Sequence, residues 1–247
     1  MLLIDAGNTR FKATFADDIG RNWAVARDGV DSTATIAQLF DLCYRKPQRV
    51  VIGCVGDEAS AELLRLQCQA RWGIESQRLV SVGEFGSVKN GYANPKELGI
   101  DRWAAVIAAW YQVRGAVVVV DCGTAVTVDT VAADGCHLGG VIFPGLQLSA
   151  ASFYRQTHNV PSVLPGVRDL YATNTSAAVT GGVHWAVTGG INAVLQELLG
   201  QLPPATPVLI TGGDAAELLP FLRVNILNVE HLVFKGMALI AGLSQEL

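Results

Sequence analysis

Apolar residues along this chain fall into two kinds of segment. Short β-branched runs, Leu2-Leu3-Ile4, Val50 to Val55, Val118-Val119-Val120 and Val208 to Thr211, predict buried strands. Between them lie longer stretches where apolar positions recur every three or four residues, which predicts helices. Glu58 to Trp72 is one, with Leu63, Leu64, Leu66 and Cys68 among its apolar positions. Asp101 to Val113 is a second, opened by an acidic residue at the positive end of the helix dipole. Thr175 to Leu199 is a third, opened by Asn174 or Thr175, and Lys235 to Leu243 closes the chain as a fourth. Strands alternating with helices predict an α/β protein.

Part of this pattern repeats. Leu2-Leu3-Ile4-Asp5-Ala6-Gly7-Asn8-Thr9 and Val118-Val119-Val120-Asp121-Cys122-Gly123-Thr124-Ala125 both read as a buried run, an Asp, then x-Gly and a polar or hydroxyl residue. Each is followed by a second strand-like stretch, Phe11 to Phe15 and Val126 to Val131, so each predicts a hairpin with Asp and Gly at its turn. The two copies stand nearly half a chain apart, too far for a solenoid period, and predict two similar domains, 1–115 and 116–247, with a cleft between them.

Composition narrows the class. With 247 residues, half of them hydrophobic, the chain can bury a large core. A net charge of -4 without a Lys/Arg cluster argues against a nucleic-acid partner. The apolar runs are too short to span a bilayer and Met1 leads directly into a strand, so the expectation is a cytoplasmic protein without membrane contact. Five scattered cysteines read as reduced and buried.

Four constellations carry candidate chemistry. In Asp5 to Lys12, Gly7 permits a tight turn and close backbone approach to phosphate, Asn8 and Thr9 add donors, Lys12 adds a charge, and Asp5 can hold Mg²⁺ on a triphosphate. An ordinary β-turn would use the same residues. The matching Asp121-Cys122-Gly123-Thr124 turn would clamp phosphates and cation from the other half. Thr211-Gly212-Gly213-Asp214-Ala215 puts a glycine pair between strand and helix, where a flat ring can lie against backbone, or where a plain turn needs it. In Asn90-Gly91-Tyr92 and Gly99-Ile100-Asp101-Arg102, Asp101 is placed to act as a base and Arg102 to fork onto a carboxylate. The alternative is that Asp101 caps its helix and Arg102 pairs with it at the surface.

These motifs, with Gly139 to Gly145 and Asn174-Thr175, follow one another in an order and spacing that resembles the type III pantothenate kinase family, from Leu3 to Gly242. The resemblance implies an actin-like fold of two ribonuclease-H-like domains with an interdomain cleft. It implies transfer of the ATP γ-phosphate to pantothenate at the first committed step of coenzyme A synthesis, by a homodimer that needs Mg²⁺ and a monovalent cation, K⁺ or NH₄⁺. It places ATP against Asp5, Ala6, Gly7, Asn8, Thr9, Arg10, Phe11, Lys12 and Thr124. It places pantothenate against Tyr92, Gly99, Ile100, Asp101 and Arg102, with Asp101 as the base, the monovalent cation on Asp121, and Thr175 reaching the substrate across the dimer interface. Cys54-Val55-Gly56-Asp57 departs from the family's Val-Pro pattern, and His158 is either a substrate-site histidine or an exposed loop residue.

Other residues have plainer readings. His137, His184 and His231 lack ligand spacing and read as structural. Trp103, Trp110 and Tyr111 read as core or interface packing, and the pairs Gly181-Gly182 and Gly189-Gly190 as a close helix contact between subunits. A rival of another class is a catalytically silent regulatory protein of the same fold, against which intact Asp5, Asp101, Arg102 and Asp121 argue. A sugar or acetate kinase is a third reading, but such chains are usually longer and lack Gly-x-Asp-Arg.

Overall fold

The computed structural model describes residues 1–27, 32–55, 58–156 and 169–242. The first β-branched run forms β1 (Leu2–Ala6), buried at every position because it lies at the centre of a five-stranded sheet. It pairs antiparallel with β2 (Arg10–Phe15), which pairs antiparallel with β3 (Asp18–Ala26). On its other side β1 runs parallel to β4 (Val50–Cys54), and β4 to β5 (Gln77–Leu79). The order is thus β3-β2-β1-β4-β5, with α1 (Ser32–Asp41) and α2 (Glu58–Trp72) as the crossovers to the parallel strands. A small hairpin, β6 (Glu84–Phe85) and β7 (Val88–Lys89), precedes α3 (Ile100–Val113).

The second run repeats the plan. Strands β8 (Val117–Cys122), β9 (Ala125–Val131) and β10 (His137–Pro144) form the meander, followed by α4 (Leu146–Gln156) and α5 (Thr175–Leu199). Then β11 (Val208–Thr211), α6 (Ala215–Leu218) and β12 (Ile226–Asn228) complete a sheet of order β10-β9-β8-β11-β12. The predicted duplication is therefore present strand for strand. The last helix, α7 (Leu232–Ile240), starts and stops three residues before the expected Lys235–Leu243. His231 opens it in a left-handed conformation with no side-chain cap, so the usual start signal is missing from the sequence.

Contacts divide the chain into one compact unit of 1–115, 133–137 and 231–247 and another of 116–132 and 138–230. The sequence reading had assigned everything after residue 115 to the second half. The exceptions have physical causes. Helix α7 lies so close to α3 that a Cβ on Gly236 would collide with the Ala104 carbonyl, and Met237 reaches Gly53 on β4. Helix α3 is apolar nearly all round, which suits a helix covered on every side. Residues 133–137 dock on the small hairpin, where the Lys89 N–H donates to the Gly135 carbonyl at 2.9 Å. Trp103 and Trp110 are buried as expected. So are Cys54, Cys68 and Cys122, whereas Cys43 and Cys136 are only partly covered.

Candidate active site

In the first unit, the register that pairs β1 with β2 sets Asp5 opposite Lys12, and the Lys12 Nζ stands 3.7 Å from Asp5 Oδ2. Ala6 and Phe11, the next pair in that register, are buried under the turn. The Gly7 N–H donates to the Arg10 carbonyl at 3.1 Å and closes the turn, leaving Asn8, Thr9 and Arg10 exposed. A residue that the sequence reading passed over, Arg27, braces it. Its backbone N–H donates to the Thr9 carbonyl at 2.8 Å, its guanidinium to the Gly7 carbonyl at 3.0 Å, and the other arm of the fork to Ser60 Oγ at 2.8 Å. Nothing in the sequence marks Arg27, because its partners, two backbone carbonyls and the Ser60 hydroxyl, lie 18, 20 and 33 residues away and only the fold brings them near.

Asp5 is only 8% exposed. Burial pushes its carboxyl up from 3.8 to about 6; Lys12 opposes the rise and the nearby charge of Asp101 adds to it. That coupling brings the first turn and the start of α3 into one electrostatic neighbourhood. Asp101 occupies the first turn of α3, and its Oδ1 accepts the N–H of Arg102 at 2.7 Å. Gly99 is required there, since a Cβ would press on that same oxygen. Ile100 is buried against Gly53 and seats the helix.

Arg102 does not lie at the surface. It is 6% exposed, and its guanidinium donates to the Tyr92 hydroxyl at 2.7 Å. Tyr92 is held in turn by Asn90, whose Oδ1 accepts the Tyr92 N–H at 3.0 Å while its amide donates to the Val82 and Pro95 carbonyls. The Asn-Gly-Tyr and Gly-x-Asp-Arg motifs thus meet in one place.

In the second unit the Asp-x-Gly turn is built from backbone. Asp121 pairs with Thr211 of β11, and the N–H of Asp214 donates to the Cys122 carbonyl at 2.9 Å. Gly145 donates to the Thr124 carbonyl at 3.0 Å, and no side chain fits at Gly145 or Gly212, where a Cβ would strike the carbonyls of Gly123 and Cys122. Gly212 also has φ of +100°, a conformation that favours glycine. Burial, with Asp121 and Asp214 adding, holds the Cys122 thiol above its usual range, so it stays neutral. The arrangement concentrates carbonyl oxygens beside a carboxylate, a donor set that fits a hard cation.

Thr175 is exposed at the first turn of α5, next to the N-cap Asn174, whose side chain accepts the Ala177 N–H at 2.9 Å. It lines an open groove of about 520 Å³ with Phe153, Thr173 and Gly182. Gly181 packs on the Asp169 backbone and Gly190 on the Phe143 ring, whereas Gly182 and Gly189 face open space. His158, Gly56 and Asp57 lie outside the described residues. Among the described residues no helix is long and apolar enough to cross a membrane.

Comparison with known proteins bears on family and fold. The model of the family described as type III pantothenate kinase matches residues 1–197. A type III pantothenate kinase from Nitrosococcus oceani is 33% identical over 98% of this chain and 93% of its own. Among solved structures, a Campylobacter jejuni protein described as a Baf-family transcriptional activator matches with a TM-score of 0.61 at 24% identity, covering 97% of this chain and 96% of that one. A Sinorhizobium meliloti protein described as a 2-dehydro-3-deoxygalactonokinase matches at 0.59 and 13%, covering 97% of both. These likenesses show the fold, that of the actin-like ATPases.

Proposed function

Because the chain belongs to the type III pantothenate kinase family, the enzymes that phosphorylate pantothenate at the entry to coenzyme A synthesis, we propose that it performs this reaction with Asp101 as base, Arg102 as carboxylate anchor and the Asp5 to Lys12 turn as phosphate cradle. The observation that carries the reading is the meeting of Asp101, Asp5 and Lys12 in one charged neighbourhood, one residue along from an Arg102 held by Tyr92.

Phosphoryl transfer needs mainly positioning and charge neutralisation. The Asp101 carboxylate is oriented at the start of α3 by the Arg102 N–H on its Oδ1, and it takes the proton of the pantothenate 4'-hydroxyl. The hydroxyl oxygen then bonds to the γ-phosphorus, the bond to the bridging oxygen breaks, and ADP leaves. Lys12 and the backbone of the first turn steady the phosphates. Mg²⁺, when bound, neutralises charge on the triphosphate oxygens, and Asp5 is the carboxylate placed to hold it. Arg102 meets the substrate carboxylate with a fork whose orientation Tyr92 fixes.

Thr124 takes part in ATP binding and Asp121 holds K⁺ or NH₄⁺ among carbonyl oxygens. The active unit is a homodimer in which Thr175 serves the partner subunit's site. In support, the outer face of α5 below Thr175 is a row of exposed small uncharged residues, Ala178, Gly182, Ala186, Gly189 and Ala193, suited to close contact with another helix. With ATP as donor, the cytoplasm is the compartment.

The test is an assay with ATP, Mg²⁺, K⁺ and pantothenate, following 4'-phosphopantothenate by mass. Asp101→Asn should lower turnover by roughly a hundredfold or more while pantothenate binding persists. Near-normal turnover would remove Asp101 from the mechanism. Subunit exchange between that variant and an inactive, bulky Thr175→Trp should restore about a quarter of normal activity, since one site of each mixed dimer is then intact. No recovery would return Thr175 to its own chain.

A further inference from the structure

The most informative feature outside the residues assigned so far is His137, which the sequence reading took as structural. Its ring is fully buried and lies nearly parallel to that of Tyr92, with centroids 6.0 Å apart and planes 16° from parallel. It comes from the short segment 133–137 that leaves the second unit's chain to pack with the first. That segment is pinned in several ways. Its Gly135 carbonyl accepts the Lys89 N–H at 2.9 Å, and Cys136 bridges to Lys89. Gly135 has φ of +86° and fits so tightly against the Ser87 carbonyl and the Trp110 ring that no side chain is admitted. The Asp134 carboxylate accepts the N–H of Cys136 at 3.0 Å.

Tyr92 itself belongs to no helix or strand. Asn90 fixes its backbone, but a backbone clamp leaves the ring free to turn about its side-chain torsions. A flat partner behind the ring removes that freedom. Packing against that ring fixes the direction of the Tyr92 side chain, and with it the position of the hydroxyl that accepts from the Arg102 guanidinium at 2.7 Å. We infer that His137 is a positioning residue for substrate selection: its ring holds Tyr92, Tyr92 holds the Arg102 fork, and the fork reads the carboxylate of the acid substrate. The inference rests on the assignment of Arg102 to that carboxylate. It also gives the segment 133–137 a purpose, since without that docking the histidine would not stand behind the ring.

A histidine that merely filled the core would lower stability and weaken every ligand alike. A positioning histidine has a narrower signature, confined to one end of one substrate. The experiment compares pantothenate with its primary alcohol analogue, in which CH₂OH replaces the carboxylate. In His137→Ala the KM for pantothenate should rise about tenfold with kcat within about twofold, while the KM for ATP and for the alcohol stay near their original values. Preference for the acid over the alcohol should therefore fall about tenfold. His137→Phe, which keeps a flat ring, should retain the preference. His137→Leu, which fills the volume without the plane, should lose it, and serves if the alanine variant fails to fold.

Arg102→Gln is the control for the underlying assignment and should abolish the preference for the acid over the alcohol. If it does and the His137 variants do not, the positioning role is overturned alone. If Arg102→Gln leaves the preference intact, the assignment of Arg102 falls and the role of His137 falls with it. Equal loss toward acid and alcohol in the leucine variant would return His137 to a structural role.

Discussion

The two units share a strand order, β3-β2-β1-β4-β5 and β10-β9-β8-β11-β12, and each carries an Asp-x-Gly turn at the same place in it. Their turns share backbone hydrogen bonds but differ in what surrounds them. The first is braced in part by a side chain, since the Arg27 guanidinium binds the Gly7 carbonyl while its backbone N–H binds that of Thr9, and Asn8, Thr9 and Arg10 are exposed. The second has backbone bonds at Cys122 and Thr124, with Gly145 and Gly212 packed where no Cβ can enter. A turn clamped by a cation and flanked by Lys12 suits anionic phosphates, and one lined by carbonyls beside a carboxylate suits a cation. One scaffold, used twice, thus carries an Asp at equivalent positions but sets Lys12 and Arg27 beside the first and fixed carbonyls beside the second.

The sharpest way to break this comparison is to add one methyl group to each turn. Gly212→Ala must relieve both a positive φ and contact with the Cys122 carbonyl, and Gly145→Ala meets the Gly123 carbonyl. Each should cost about 2–3 kcal/mol and lower Tm by roughly 5–10 °C. Gly7→Ala places its Cβ 3.2 Å from the Arg10 carbonyl and should cost under about 1 kcal/mol. Thermal unfolding that ranked the three alike would show the turns to be built alike.

An effect of at most about 3 kcal/mol is expected from the charge on Asp5. A carboxyl whose pKa is raised in the folded state binds its proton more tightly there than when unfolded. Its contribution to stability is therefore fully present below pH 3.8 and is lost as the pH rises through about 6. At neutral pH the charged Asp5 strains the fold that it serves. Asp5→Asn should accordingly raise Tm at pH 7.5, by about 5 °C, show no such gain at pH 4, and lose turnover. A variant less stable than the original at pH 7.5 would mean that Lys12 more than offsets the burial.

Much of this was legible beforehand, for identifiable reasons. Helices α2 and α5 and strand β11 carry both their period and their boundary residues in the sequence, so their ends fell where expected. The duplicated turn was visible because its strands are continuous buried runs. The hidden parts depend on register and long-range docking. Arg27 acts through carbonyls that only the pairing of β2 and β3 brings near, and His137 sits behind Tyr92 only because residues 133–137 pack out of sequence order. Helix α7 joined the first unit through Gly236, whose reason for being glycine is an atom of α3 far away in the chain. Arg102, with a surface ion pair as its alternative reading, lies buried on Tyr92, a partner ten residues back that no local rule selects.

The last and smallest expected effect concerns the second turn. A monovalent cation must trade its water for protein oxygens, and carbonyls do this at little cost when they are already fixed. Those of Cys122 and Thr124 are fixed by the N–H groups of Asp214 and Gly145, and each carbonyl oxygen keeps a second lone pair. On the proposed assignment, carbonyls fixed in this way would discriminate by ion size and Asp121 would supply the charge. At matched ionic strength the rate in Na⁺ should be about tenfold below the rate in K⁺ or NH₄⁺, equivalent to about 1.4 kcal/mol. Asp121→Asn should lower the rate in K⁺ toward the Na⁺ value, because removing the charge removes the affinity that the carbonyls select upon. The first turn offers the internal contrast: Lys12→Gln should raise the KM for ATP yet leave the ratio of K⁺ to Na⁺ rates unchanged. Equal rates in all three salts, or a ratio that collapses with Lys12 and not with Asp121, would reverse the assignment of anion to the first turn and cation to the second.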